Sequence, residues 1–407
     1  MTAAEATRAT VGELAVRTRR FIRDVVVPSE PPAGMELGPE RRRALQEEAR
    51  AAGVFAPQVP TALGGLGLTL PEWSPVFQEA GYSPIGPAVL NCMAPDEGNM
   101  YLLERVASPA QQQAFLAPVA AGEARSCFAM TEPHPGAGSD PAALATVARR
   151  VDGGWVLDGE KRFISGADEA AYAIVMARTP ELGDGAATML LVPMDTPGVT
   201  VGHPVRTMET AITGGHPHVT FADVRVGDDA VLGAAGEGFA YAQVRLGPAR
   251  LTHCMRWLGL ARRAQDTALD RVRTREVFGA PLAELGIAQA MLADSEIDLA
   301  TCDALIDRAA RLLVEDPRAG ATASSIAKVH VSEAVGRVID RAVQLCGGDG
   351  VTLELPLLAF LNEVRPFRVY DGSSETHRWA IARRAVARRR REVEAGERVL
   401  DTPEGAR

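Results

Sequence analysis

The feature that most restricts the fold is a set of six short apolar runs between residues 146 and 226, following one another without a helical spacer. TVARRV, WVLDG, AYAIVMAR, ATMLLVPM, VTVGH and HVTFADVRV are each of strand length and are separated by Gly, Pro and Asp turns. Such a succession predicts a small antiparallel barrel or sandwich. On either side the period changes. Residues 40–52 and 100–106 place apolar side chains three and four apart, and 251–273, 287–315 and 321–346 do so over longer spans, which predicts amphipathic helices. The predicted class is α+β: an N-terminal all-helical domain over 1–125, a central β domain over 126–235 and an up-and-down helical bundle over 236–395. A polar tail is expected over 396–407.

Composition excludes several functions. The chain has 407 residues, 46% of them hydrophobic and 23% charged, enough to bury cores of this kind. A net charge of -9 argues against nucleic acid as the main partner, although a local basic pocket is compatible with it. No apolar run approaches the roughly eighteen residues of a membrane span, and the N-terminus lacks a signal-peptide core. A soluble, cytoplasmic protein is expected. The five cysteines show no CxxC pair and no metal-ligand spacing, so they read as buried, reduced thiols, and no metal is expected. The Gly-rich stretch VPTALGGLGL at 59–68 lacks the Lys-Ser/Thr ending of a phosphate loop and reads as a turn.

Near the C-terminus, Tyr370-Asp371-Gly372-Ser373-Ser374 is loop chemistry: Gly tolerates positive φ, and Asp and Ser bond to their own backbone. Two readings stay open. The stretch is a surface turn, or it is a turn that aims the Asp371 carboxylate into a pocket as an acid/base group.

Five motifs carry a resemblance. Ser126-Cys127-Phe128-Ala129-Met130-Thr131-Glu132-Pro133, followed by Gly136-Ala137-Gly138-Ser139-Asp140, resembles the first signature of the acyl-CoA dehydrogenases. Gly159 to Gly166 (GEKRFISG), Arg275 to Gly279 (REVFG), Gln344 to Gly350 (QLCGGDG) and Tyr370 to Ser373 follow in the family order. The chain is most similar to the subgroup whose animal members carry a kinase-like domain ahead of the dehydrogenase. The resemblance implies FAD as cofactor. Phe128, Met130 and Thr131 would line the isoalloxazine ring, Phe163 would stack near it, and Ser165 would supply a hydroxyl beside the reactive nitrogen. Gly138 would let the backbone approach cofactor and thioester. Ser139 would lie near both cofactor and substrate, Arg250 would approach the CoA by charge, and Gly372 would touch the substrate. Ser373 and Glu375 would face the flavin. Arg275, Phe278, Gln344, Gly347 and Gly348 would reach the flavin of a neighbouring subunit, implying a homodimer or, by family habit, a homotetramer.

The implied reaction is α,β-dehydrogenation of an acyl-CoA to the trans-2-enoyl-CoA, as in fatty acid β-oxidation, with electrons passed to an electron-transfer flavoprotein. Most relatives use Glu as base at the position of Asp371. Others place the base at the position of Ala249, which has no group to accept a proton. Three departures stand out: His134-Pro135 lengthens the first motif, Gly286 replaces a frequent Gln, and Glu375 replaces another. Two alternatives keep the fold: an oxidase using dioxygen, like acyl-CoA oxidases or nitroalkane oxidase, and a catalytically inactive acyl-CoA-binding scaffold.

Overall fold

Four main helices open the chain: α1 (Ala3–Phe21), α2 (Pro39–Ala51), α3 (Trp73–Gly81) and α4 (Asp96–Val106). The computed structural model describes residues 3–211 and 215–397, with side chains from residue 10 onward. The expected polar tail beyond Glu397 lies outside the described residues. α2 begins at Pro39, where a missing N–H costs nothing. Residues 59–68 form the expected turn around a short 3-10 segment.

The strands are β1 (Ser126–Ala129), β2 (Val147–Val151), β3 (Gly154–Lys161), β4 (Tyr172–Arg178), β5 (Ala187–Pro193), β6 (Val199–Pro204) and β7 (Pro217–Gly227). They form one sheet in the order β1-β4-β2-β3-β7-β6, with β5 paired to β4. Two of its six pairings are parallel, which corrects the expected all-antiparallel arrangement: β1 runs parallel to β4, as does β2 at one bridge. The reason is the connection. The chain leaves β1 through a long loop and the β2–β3 hairpin before returning as β4, and only such a crossover allows parallel pairing.

β4 and β5 read as continuous apolar runs because both faces are covered. Tyr172, Ile174, Met176, Met189 and Leu191 join the core of the helices, while Ala173, Val175, Ala177, Leu190 and Val192 join a separate core within the β domain. The helical segments before and after the sheet share that first core.

The C-terminal part contains α5 (Gly238–Thr274), a hairpin of β8 (Glu276–Val277) and β9 (Ala280–Pro281), α6 (Gly286–Glu315), α7 (Pro317–Cys346), α8 (Leu357–Val364) and α9 (Ser374–Glu394). α5, α6 and α7 pack together, and α9 lies on α7. α7 starts sharply because the Asp316 carboxylate accepts from the N–H groups of Arg318 and Ala319, with Pro317 at the first helical position. α3 presses directly on α5 through Gly81 and Gly259, where a Cβ on either would overlap the other helix's backbone. The five cysteines are free and buried. No described helix is long and apolar enough to cross a membrane.

Candidate active site

The stretch Asp371-Gly372 is a turn, as its composition requires, but it is not a free surface turn. Both residues have left-handed backbones, with φ of 53° and 91°. Asp tolerates that conformation better than most side chains. Three helices hold it there. Arg250 Nε of α5 donates to the Asp371 carbonyl at 3.1 Å, and His377 Nε2 of α9 meets the same oxygen at 3.0 Å. Lys328 Nζ of α7 donates to the Gly372 carbonyl at 2.6 Å. A carbonyl can only accept, so His377 carries a proton on Nε2. Burial, then Arg250, push its pKa down to about 4, which keeps the ring neutral. A Cβ at position 372 would lie 2.7 Å from His377 Nε2, so glycine is needed for space as well as for φ. Ser373 Oγ then accepts from the Thr376 N–H at 3.2 Å and caps α9.

The clamped turn presents the Asp371 side chain, 19% exposed, with its Oδ2 buried and free of hydrogen bonds. His253 Nε2 lies 3.4 Å from that oxygen. Arg245, Arg250 and Lys328 crowd the same space. Burial lowers the pKa of each, Lys328 to about 8, and Asp371 is the first group opposing that shift in all three. The acidic chain therefore contains a local excess of buried positive charge around one carboxylate. His253, Phe367 and Tyr370 stack at centroid distances of 4.7 to 5.6 Å, and Trp257 Nε1 donates to the Tyr370 hydroxyl at 2.6 Å.

A second wall comes from the sheet. The Arg162 N–H donates to the Thr131 carbonyl at 2.9 Å, which sets the end of β1 beside the turn after β3. Phe128, Met130 and Thr131 are thereby brought next to Phe163 and Ser165. The Arg245 guanidinium lies 4.1 Å from the Phe128 ring centre and joins this wall to the Asp371 cluster. Phe163 is 46% exposed and has a φ of 59°, a conformation aromatic residues rarely adopt. Ser165 Oγ is 2.8 Å from His216 Nδ1, whose Nε2 lies 3.2 Å from Glu209 Oε1. The Thr131 hydroxyl has no hydrogen-bond partner among the described residues. Exposed aromatic surface beside such hydroxyls suits a flat ring with a polar edge.

Glu132 is structural. Its carboxylate accepts from the N–H groups of Ala137, Ala145 and Thr146 and from Lys161 Nζ at 2.8 Å, fixing the loop of the first motif. Burial would raise its pKa, but Lys161 and these donors outweigh it and hold the group at about 2. Lys161 also donates to the Met130 and Met176 carbonyls, so the pair stays charged. Gly138, Ser139 and His134 lie exposed on the same loop.

The remaining residues sit elsewhere. Arg275 follows the last turn of α5 and is exposed. Phe278 and Gly279, with φ of 53° and 81°, form the two-residue tip of the β8–β9 hairpin, and Phe278 is 99% exposed. Arg271 pairs with Asp349 at 2.6 Å, which draws the turn holding Gly347 and Gly348 to this end of α5. Gln344 is exposed one turn earlier. At 1.5 Å rise per residue, Arg275 lies about 37 Å along α5 from Arg250. One chain thus gathers Arg275, Phe278, Gln344, Gly347 and Gly348 at one end and Asp371 with the sheet residues at the other.

Three expectations meet a different placement. Arg250, expected at a CoA, donates to the turn. The Ser373 hydroxyl is occupied as a helix cap. Glu375 is exposed, 3.9 Å from Arg378, rather than aimed into the site. Sequence reading missed His253, Lys328, His377, Arg245, His216 and Glu209. The spacing of Arg250, His253 and Trp257 on one helical face is a local signal that could have found His253. A separate recess of about 470 Å³, lined in part by Ser108, Gln111, Phe115 and Val231, contains none of these residues. No group of side chains suited to a metal occurs among the described residues.

Known proteins resemble most of the chain. Family profiles described as the N-terminal, middle and C-terminal domains of acyl-CoA dehydrogenase match residues 11–123, 127–224 and 236–386. A Mycobacterium tuberculosis protein described as a probable acyl-CoA dehydrogenase, FadE2, is 38% identical over 79% of this chain and 80% of its own length. Acyl-CoA dehydrogenase family member 10 of Mus musculus is 36% identical over 83% of this chain, which spans only 33% of that relative. A glutaryl-CoA dehydrogenase from Mycobacterium smegmatis, solved in complex with FADH2, superimposes with a TM-score of 0.80 at 25% identity, covering 93% of this chain and 95% of that one.

Proposed function

The chain belongs to the acyl-CoA dehydrogenase family, and from that premise we propose that it dehydrogenates an acyl-CoA thioester with Asp371 as base and FAD as cofactor. The observation that carries this reading is the clamped turn: a left-handed Asp371, held through its backbone by Arg250, His377 and Lys328, with a side-chain carboxylate that accepts no hydrogen bond from the described residues. Such construction costs backbone strain and buried charge, and a surface turn has no use for either.

Asp371 takes the proton from the carbon next to the thioester carbonyl, and negative charge passes from the carboxylate to the enolate. Arg245, Arg250 and Lys328 suit that transfer, because fixed positive charge in a buried site serves the anion wherever it resides. FAD, when bound, supplies the acceptor for the β-hydride. Phe128, Met130, Thr131, Phe163 and Ser165 would hold its ring, and the Phe163 face and the free Thr131 hydroxyl support that fit. Arg275, Phe278, Gln344, Gly347 and Gly348 are too far along α5 and α7 to serve the same chain's ring, so a second copy would supply them. The working unit is then at least a homodimer, with a homotetramer as the family's habit, and an electron-transfer flavoprotein takes the electrons.

Asp371→Ala tests the reading. The variant should stay yellow and bind acyl-CoA, yet lose roughly 10²- to 10⁴-fold in flavin bleaching by substrate. Activity within a few-fold of the wild type rules out Asp371 as the base. Peroxide formation under air without an added acceptor would assign the chain to an oxidase instead.

A further inference from the structure

The geometry points to His253 as a positioning residue for Asp371: a neutral hydrogen-bond donor whose tautomer is fixed by Arg256. This inference rests on the reading of Asp371 as base. His253 and Arg256 lie one turn apart on α5, both buried. Arg256 NH1 donates to Glu97 Oε1 at 2.8 Å and to the Cys92 carbonyl at 3.1 Å, and its NH2 is 2.8 Å from His253 Nδ1. A guanidinium has donors and no acceptor and keeps its proton, so Nδ1 must be the accepting nitrogen. The ring's one proton is then on Nε2, the atom 3.4 Å from Asp371 Oδ2.

The surroundings hold this state. Burial, then Arg256, Arg245 and Lys328, push the His253 pKa well below its usual range, so the ring gains no second proton at neutral pH. Stacking on Tyr370 and Phe367 fixes the ring plane. Thr252 Oγ1 donates to the same Glu97 oxygen at 2.6 Å, which anchors the line Glu97–Arg256–His253–Asp371 on α4. The charged and titratable groups facing the pair are Arg245, Arg250 and Arg256 of α5, Lys328 of α7, His377 of α9 and Tyr370 of the turn itself.

The chemical consequence is a choice of oxygen. His253 Nε2–H faces Oδ2, so Oδ1 is the atom that accepts the α-proton. The substrate's C–H bond breaks, an O–H bond forms at Oδ1, and the electron pair stays on the substrate as the enolate. A charged imidazolium would bind the carboxylate as an ion pair and weaken it as a base; Arg256 prevents that. The 3.4 Å separation is long for a hydrogen bond and should tighten when substrate binds, as catalytic contacts often do. Asp is one methylene shorter than Glu and has less freedom to find the α-carbon, so its orientation matters more.

The test isolates the proton step. A 3-thia-acyl-CoA has sulfur at the β position and no β-hydride to lose, so exchange of its α-protons into D2O on the FAD-loaded enzyme reports proton abstraction alone. His253→Phe keeps the stacking and volume but removes both nitrogens, and should slow exchange roughly 10- to 100-fold. Flavin content and affinity for the analogue should stay within about threefold, since no binding group is removed. His253→Gln has an amide able to accept from Arg256 and donate to Oδ2, and should recover most of the rate even if the Phe variant fails to fold. Nitrogen-15 spectra of the wild type at neutral pH should show a neutral ring protonated on Nε2. Exchange at the wild-type rate in His253→Phe, or a proton found on Nδ1, overturns the inference. Asp371→Asn separates the two claims: persisting exchange there refutes the base itself, whereas lost exchange with an unaffected His253→Phe refutes only the role of His253.

Discussion

At the Asp371 end of α5 the two turn carbonyls are met by three side chains from three helices, and the aromatic and cationic neighbours are buried or half-buried. At the Arg275 end, about 37 Å along the same helix, Phe278 is 99% exposed at a hairpin tip and Gln344, Gly347 and Gly348 face outward. The first region is finished within one chain. The second has the composition of a binding surface whose counterpart is absent from that chain: an aromatic anchor, a guanidinium, and glycine backbone with open space beside it. The contrast teaches that acid–base chemistry can be preorganised by intrachain packing, while under the proposed function a long cofactor would span from one copy to the next.

The strongest way to break this contrast is complementation. Asp371→Asn and Arg275→Ala should each be nearly inactive alone, but chains refolded together should regain about a quarter of wild-type activity, because statistical pairing in a two-fold dimer leaves one intact site in each mixed pair. No recovery would mean that both ends serve the same chain. Next in size is Gly372→Ala, which brings a side chain against His377 and into a left-handed backbone. We expect a cost of about 1–3 kcal/mol in stability and, from the displaced carboxylate, a roughly 100-fold lower kcat. A wild-type kcat would show that the clamp is not needed.

Phe278→Ala should act on association alone. Self-association should weaken by about 2 kcal/mol or more if Phe278 anchors an interface, while unfolding of the isolated chain stays unchanged. Sedimentation at several concentrations distinguishes this from a bare loop residue. The smallest effect is a pH dependence to which the buried end contributes and the exposed end does not. Burial lowers the Lys328 pKa to about 8, against about 10.4 for a free lysine. The unfolded chain therefore holds more protons in that window, and stability rises with pH from about 8 to 10.4. Buried Lys161, also lowered to about 8, adds to the same rise, so Lys328→Met should reduce the slope in denaturant titrations without abolishing it; an unchanged slope would place the titration on another group.

Much of the fold could be read locally. All six apolar runs became strands, the half-buried ones through their period of two and β4 and β5 as continuous apolar runs of strand length between turns, and the long helices followed their apolar spacing. The turn at Asp371-Gly372 was likewise written in its residues. The parallel pairing of β1 with β4 was not, since strand direction depends on how the chain returns after residue 130. The site was half legible. The motifs named Asp371, Phe163 and Arg275, but not that Arg250, Lys328 and His377 hold Asp371 in place.

The sequence by itself determined the order of elements, the left-handed turn and the presence of a carboxylate on it, because these depend on neighbours within a few residues. Tertiary structure alone decided that Arg250, 121 residues before Asp371, and Lys328, 44 before Gly372, would grip that turn, and that His253 would face the carboxylate with its proton on Nε2. It also decided that Arg275 would stand apart from them. Those outcomes depend on which helix faces meet and how long α5 is, and no local pattern of side chains encodes a meeting between distant segments.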